Sequence, residues 1–160
     1  MGIQIFLHEK TNVKYKHTNI VARDWRRLAR FYQDVFRCVP VPPERDFAGE
    51  WLDRGTGVKN AHIAGAHLRL PGYGDGGPTL EIFQYERNEP KPPAAANREG
   101  IAHRAFEVED VEHTAAEILK HGGNKIGEIA SSEVAGVGLL TFVYLADPEG
   151  NIVELLSWAS

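Results

Sequence analysis

The chain has 160 residues, 42% of them hydrophobic and 25% charged, with 18 Lys and Arg against 22 Asp and Glu and a net charge of -4. That balance fits an ordinary globular domain or two small fused modules, and without a basic stripe it argues against a nucleic-acid partner. Cys38 is the single cysteine, so no intrachain disulfide forms, and no apolar run approaches the roughly 20 residues of a bilayer span.

The opening MGIQIFLHEK lacks the pattern of a signal peptide, so a cytoplasmic protein without a membrane partner is expected. Residues 3–7 (IQIFL) read as a short strand. Residues 14–22 (KYKHTNIVA) alternate, which places His17, Asn19 and Val21 on one strand face. Asp24 suits a helix N-cap, and Leu28, Phe31, Tyr32 and Val35 follow at amphipathic helical spacing. Pro40, Pro42 and Pro43 are expected to end that helix. Residues 44–60 show no clear period, with Trp51 as their large aromatic anchor. Strands are expected around 61–64 and 67–70, followed by loop chemistry over 71–78 (PGYGDGGP). The next strand, Thr79–Tyr85, puts Thr79, Glu81, Phe83 and Tyr85 on one face.

Residues 86–99 carry Pro90, Pro92 and Pro93 and read as a linker. A strand over 101–108 comes next. Asp110 then caps a helix whose apolar stripe is Val111, Ala115, Ile118 and Leu119, stopped by Gly122 and Gly123. A strand near 125–130 and a long apolar strand over 139–146 lead into Asp147-Pro148-Glu149-Gly150. Asp, Pro and Gly stand there at the positions a turn favours. Residues 152–157 return as a hairpin strand. Each half therefore reads strand–helix–strand–strand–strand. The expectation is an α+β fold with a first βαβββ module at 14–87, a Pro-rich linker at 88–99 and a second module at 100–158.

Four residues recur by position. His17 and His103 are each followed by an aspartate seven residues later, and Glu81 and Glu154 each lie within a late apolar strand. A carboxylate buried there needs a partner or a metal. Arg69 and Arg104 are candidate partners. Two imidazoles and two carboxylates without a thiolate suit a borderline-to-hard divalent ion, either Ni, Co, Mn, Fe or a catalytic Zn. Such an ion polarises a carbonyl while a neighbouring carboxylate takes the adjacent proton. His8, His113 and His121 read as surface or helix-end residues. His62 and His67 lie on or near strands, and either replaces Glu81 as a ligand if the register differs. Cys38 reads as a small buried hydrophobe.

The segments HTNIVARDWRRLARFY, GIAHRAFEVEDV and DPEGNIVELL resemble the vicinal-oxygen-chelate superfamily, whose members include glyoxalase I, epimerases, extradiol dioxygenases and bleomycin-resistance proteins. The resemblance spans residues 14–158 and implies paired βαβββ modules forming a cupped mixed sheet around a metal. By position, His17, Glu81, His103 and Glu154 match the four metal ligands of glyoxalase I. The carboxylates Glu154 and Glu81 would be catalytic, Glu154 as the proton shuttle. The resemblance thus implies a lyase or isomerase of the glyoxalase I (lactoylglutathione lyase) type, acting on a small-molecule substrate as a homodimer. Val21 and Tyr85 stand where that enzyme usually has the Arg and Asn that help hold glutathione. Trp51, Phe83, Tyr85, Phe106 and Tyr144 are the expected pocket aromatics, with no clear anion clamp among them. Glu44 and Glu50 are candidates for a second base but read rather as solvated loop charges. Three alternatives stay open. One is an epimerase of an acyl thioester or sugar-like acid. Another is a non-enzymatic antibiotic-binding module, and the last is a dioxygenase, which would use a three-ligand site.

Overall fold

The computed structural model describes residues 12–160, so the strand expected at 3–7 and His8 lie outside the described residues. Two sheets carry the fold. The first contains β1 (His17–Val21), β2 (Val39–Ala48), β3 (His62–Arg69) and β4 (Thr79–Tyr85), in the order β1-β4-β3-β2. The second contains β5 (Arg104–Glu107), β6 (Asn124–Lys125), β7 (Ala130–Val134), β8 (Gly138–Ala146) and β9 (Ile152–Ala159), with β5 beside β9 and β9 beside β8. In each sheet the first strand runs parallel to the last, β1 with β4 and β5 with β9. The remaining pairs are antiparallel. The helices are α1 (Trp25–Phe36), α2 (Glu50–Thr56) and α3 (Val111–Lys120). None among the described residues is long and apolar enough to cross a membrane.

The helix signals act as expected. The Asp24 carboxylate accepts from the Arg27 backbone N–H and that of Asp110 from His113, each satisfying a donor the first helical turn leaves free. α1 buries Leu28, Phe31, Tyr32 and Phe36. α3 buries Val111 and Ile118, but Leu119 points outward and does not belong to its apolar stripe. α1 ends at Phe36, ahead of the prolines, as expected. Residues 39–48, for which no strand was expected, form β2, with a register shift between Val41 and Arg45. β2 is the sheet edge, where a missing N–H leaves no ladder bond broken. The expected strands at 61–64 and 67–70 are one strand, β3.

One continuous core joins both sheets. It combines Leu28, Tyr32, Leu68 and Ile82 with Ile118, Val143, Leu145 and Leu155. The Phe36 ring stacks on Phe106 with centroids 3.9 Å apart. Phe106, expected in a substrate pocket, instead packs where α1 meets the second sheet. The reason is its face: it shares the side of β5 that points at the helix, so its apolar area is removed from water there.

The turn 147–150 ties the two halves together. Gly150 N–H donates to the Asp147 carbonyl at 2.9 Å, closing the turn. The fully buried Asp147 carboxylate accepts the Tyr32 hydroxyl of α1 at 2.9 Å. Glu149 accepts the backbone N–H groups of Arg23 and Asp24 at 2.6 and 3.2 Å, just before α1. Burial, and then the Asp147 charge, push the Tyr32 phenol well above its ordinary value. The unfolded phenol titrates near about pH 10, while the folded one holds its proton to higher pH. This contribution is therefore complete below about pH 10 and is lost as pH rises through the folded value. Urea midpoints should fall steeply above about pH 10 in the native chain, and that part of the fall should vanish in Tyr32→Phe.

Candidate metal centre

Three adjacent strands of the first sheet place polar side chains in one row. Asn19 of β1, Glu81 of β4 and His67 of β3 are direct cross-strand partners. His17 lies two residues before Asn19, on the same strand face. Glu81 Oε2 is 2.8 Å from His67 Nε2 and Oε1 is 3.6 Å from His17 Nε2. Asn19 Nδ2 donates to Oε1 at 2.8 Å, which fixes the carboxylate's orientation. The carboxylate side chain is 12% exposed and His17 is 37% exposed, so the group opens to solvent on the His17 side.

One ligand atom from each of His17, His67 and Glu81 lies within 4.8 Å of the others. Donors around a single ion with bonds of about 2.0–2.2 Å are separated by up to roughly twice that length. Two imidazoles and one carboxylate are also a donor set that divalent ions accept. His67 is prepared for such a role. Its Nδ1 sits 2.9 Å from Thr79 Oγ1. When Nδ1–H donates to that hydroxyl, Nε2 carries the lone pair a metal requires. Burial holds the imidazole below its ordinary value although the Glu81 charge pulls the other way, and this favours the neutral ring that binds metal. Thr79→Val should therefore lower metal affinity about 10-fold or more, the scale of losing an outer-shell partner. A chelator competition on the folded variant checks this.

His103 and Glu154 form a second pair. His103 stands just before β5. Glu154 of β9 faces Ala105 across one ladder and Tyr144 across the other. His103 Nε2 is 2.9 Å from Glu154 Oε2, and the Tyr144 ring lies 4.7 Å from the imidazole. The pair does not join the His17, His67 and Glu81 cluster, which is the one group of three such side chains found among the described residues. Within one chain the four sequence-derived ligands thus fall into two half-sites, one per sheet, and His67 adds to the first.

Beside the first half-site lies an open cavity of about 300 Å³, with Asn19, His67 and Glu81 on its polar side and Trp51, Phe83 and Tyr85 on its apolar side. The Phe83 ring occupies the space over Gly65, where an added Cβ would meet the Ile82 carbonyl and the Phe83 Cα. Tyr144 belongs to the other half-site. Neither Arg69 nor Arg104 is the partner of Glu81 or Glu154. Arg69 pairs with Asp75 at 3.3 Å, and Arg104 reaches neither glutamate. Glu44 is held by both terminal nitrogens of Arg26 at 2.8 and 2.9 Å, and Glu50 starts α2. His62 is bound to Asp46 at 2.7 Å. Burial pushes the Cys38 thiol up to about 12, so it stays protonated and inert.

The glyoxalase/bleomycin resistance protein/dioxygenase superfamily model matches residues 14–155. The chain belongs to that superfamily. Solved structures of superfamily members share its fold. A glyoxalase family protein from Bacillus cereus superposes with a TM-score of 0.72 at 19% identity, covering 96% of this chain and 99% of its own. A glyoxalase family protein from Enterococcus faecalis gives 0.57 at 21% identity, covering 89% and 96%. A glyoxylase/bleomycin resistance protein/dioxygenase domain from Frankia sp. EAN1pec gives 0.58 at 16%, covering 93% and 100%. No curated protein matches the chain in sequence. In this superfamily member the closing Asp-Pro-Glu-Gly turn has a visible structural task. Its two acids bind the hydroxyl of Tyr32 and the entry to α1.

Proposed function

We propose that this superfamily member is a metal-dependent enzyme that moves a proton next to a carbonyl, glyoxalase I-like in its chemistry. The observation that carries the reading is the convergence of His17, His67 and Glu81 on one sheet face beside a cavity. A divalent ion held by these three residues would polarise the substrate carbonyl. Asn19 keeps Glu81 turned toward the two imidazoles, and Thr79 sets the tautomer of His67. Trp51, Phe83 and Tyr85 exclude water from an apolar substrate body. Glu154 is the carboxylate assigned to the proton, with His103 holding it in place. Because that pair lies on the other sheet, a homodimer is the simplest assembly, with the pair of one copy meeting the cluster of the other. Val21 and Tyr85 offer no charged grip on glutathione, so a small carbonyl compound with an apolar body fits better.

A second reading has its own observation. Two histidines and one carboxylate from a single module also form the ligand set of non-haem ferrous oxygen chemistry. One experiment separates the two. The dialysed chain is loaded in turn with Ni, Co, Zn, Mn and Fe, and metal content, oxygen uptake and exchange of carbonyl-adjacent hydrogens in deuterated water are followed. Hydrogen exchange that disappears in Glu154→Gln while metal content persists supports proton transfer. Oxygen uptake with Fe alone supports a dioxygenase. A chain that takes up none of these ions overturns both.

A further inference from the structure

The cluster of His17, His67 and Glu81 leaves a crevice under the Pro-rich stretch unused. A cavity of about 650 Å³ and a smaller one of about 190 Å³ lie there and share Lys91, Pro92, Arg104 and Asn151 as walls. Arg104 lines both, and its Nε is buried without a hydrogen-bond partner. No carboxylate among the described residues pairs with its guanidinium. Leaving a buried N–H donor unmatched is costly, and such groups in native proteins call for a partner. Lys91, the second cation, donates only to the Asn151 side-chain oxygen at 2.7 Å.

Two of the nearby acids are committed elsewhere, while Glu89 and Glu99 stand in the walls. Asp147 accepts from Tyr32 and from Asn151 Nδ2 at 2.8 Å, and Glu149 accepts from the backbone ahead of α1. Desolvation lowers the Lys91 ammonium below its ordinary value despite the pull of Asp147 and Glu149. Glu89, Glu99 and Glu149 make three acids against Arg23, Lys91, Arg98 and Arg104, so the crevice keeps a small cationic excess although the chain as a whole is acidic. Its other wall is apolar, with Val21, Pro90 and Pro93.

We propose that this crevice binds a small organic anion, its carboxylate or phosphate head between Arg104 and Lys91 and its apolar body against Val21, Pro90 and Pro93. A guanidinium presents forked donors that match either head group, and an ammonium adds a point charge. Asn19 and His103 border the crevice, but it does not use His17, His67 or Glu81.

Calorimetric titration of the full chain with benzoate and phenyl phosphate tests it, with benzamide as the neutral isostere. Both anions, or the one whose head group fits, should bind in the roughly millimolar range or tighter, and benzamide should not. Arg104→Gln should weaken binding about 10-fold or more, the loss expected for a hydrogen bond to a charged group. Lys91 is exposed, so Lys91→Gln should weaken binding without changing the thermal midpoint. The stronger of the two anions identifies the head group. Binding should survive Glu81→Gln. Equal binding of benzamide, affinity unchanged in both cation variants, or loss of binding in Glu81→Gln would each overturn the proposal, the last by placing the anion at the metal centre.

Discussion

Glu81→Gln is expected to strip the divalent ion from the first half-site while leaving the fold intact. Glu81 supplies the single negative charge among the three converging side chains, and its oxygens face His17 on one side and His67 on the other. Glutamine keeps the shape and can still meet Asn19, but its neutral amide oxygen is a far weaker ligand for a hard or borderline cation. Losing an outer-shell partner costs roughly 10–100-fold in metal affinity, so losing the charged ligand itself should cost on the order of 100-fold or more. Metal per chain after dialysis and a chelator competition give the number. A circular dichroism spectrum and thermal midpoint matching the native apo chain exclude misfolding as the cause. Unchanged affinity in this variant would mean that the three groups are only a hydrogen-bonded cluster, since histidine–carboxylate pairs on a sheet are stable without an ion.

How much of this centre could be read beforehand depends on which distances are local. The alternation of residues 14–22 and Thr79–Tyr85 set the faces of His17, Asn19, Glu81 and Phe83, because strand periodicity is a property of the strand alone. The parallel pairing of β1 with β4 then puts Asn19 opposite Glu81. From sequence, His67 reads only as a replacement for Glu81. Its place opposite Glu81 depends on the register of β3 against β4, and that register is set by how the loop at 71–78 closes, which period does not reveal. The edge strand β2 was hidden by its prolines, which mark an edge as readily as a loop. The seven-residue α2 is too short to show a period. The two caps, by contrast, were visible as Asp24 and Asp110, since the capping bond spans three residues and needs no tertiary knowledge. Phe106 shows the limit of residue type. An aromatic serves a pocket or a core equally well, and the face of β5 that meets α1 decided it.

Asp147→Ala should be among the most damaging single changes in the chain, by roughly 3–5 kcal/mol. The carboxylate is fully buried and accepts five hydrogen bonds: from the Tyr32 hydroxyl at 2.9 Å, the Glu149 and Asn151 backbone N–H groups at 2.9 and 3.0 Å, and Asn151 Nδ2 at 3.1 and 2.8 Å. Alanine leaves those donors without their acceptor, and each unmatched buried donor costs about 1–3 kcal/mol. The loss also falls between the two sheets, because Tyr32 belongs to α1 and Asn151 leads into β9. A domain of this kind has only about 5–15 kcal/mol in hand, so the variant should unfold at a much lower urea concentration or fail to fold at 37 °C. Tyr32→Phe provides the calibration. It removes one of the five bonds and leaves the carboxylate with its remaining donors, so about 0.5–1.5 kcal/mol is expected. A urea series on both variants measures the difference. If Asp147→Ala cost no more than Tyr32→Phe, the turn would be held by Glu149 and by the apolar contacts around Phe36 and Phe106, and the buried carboxylate would owe its place to something other than stability.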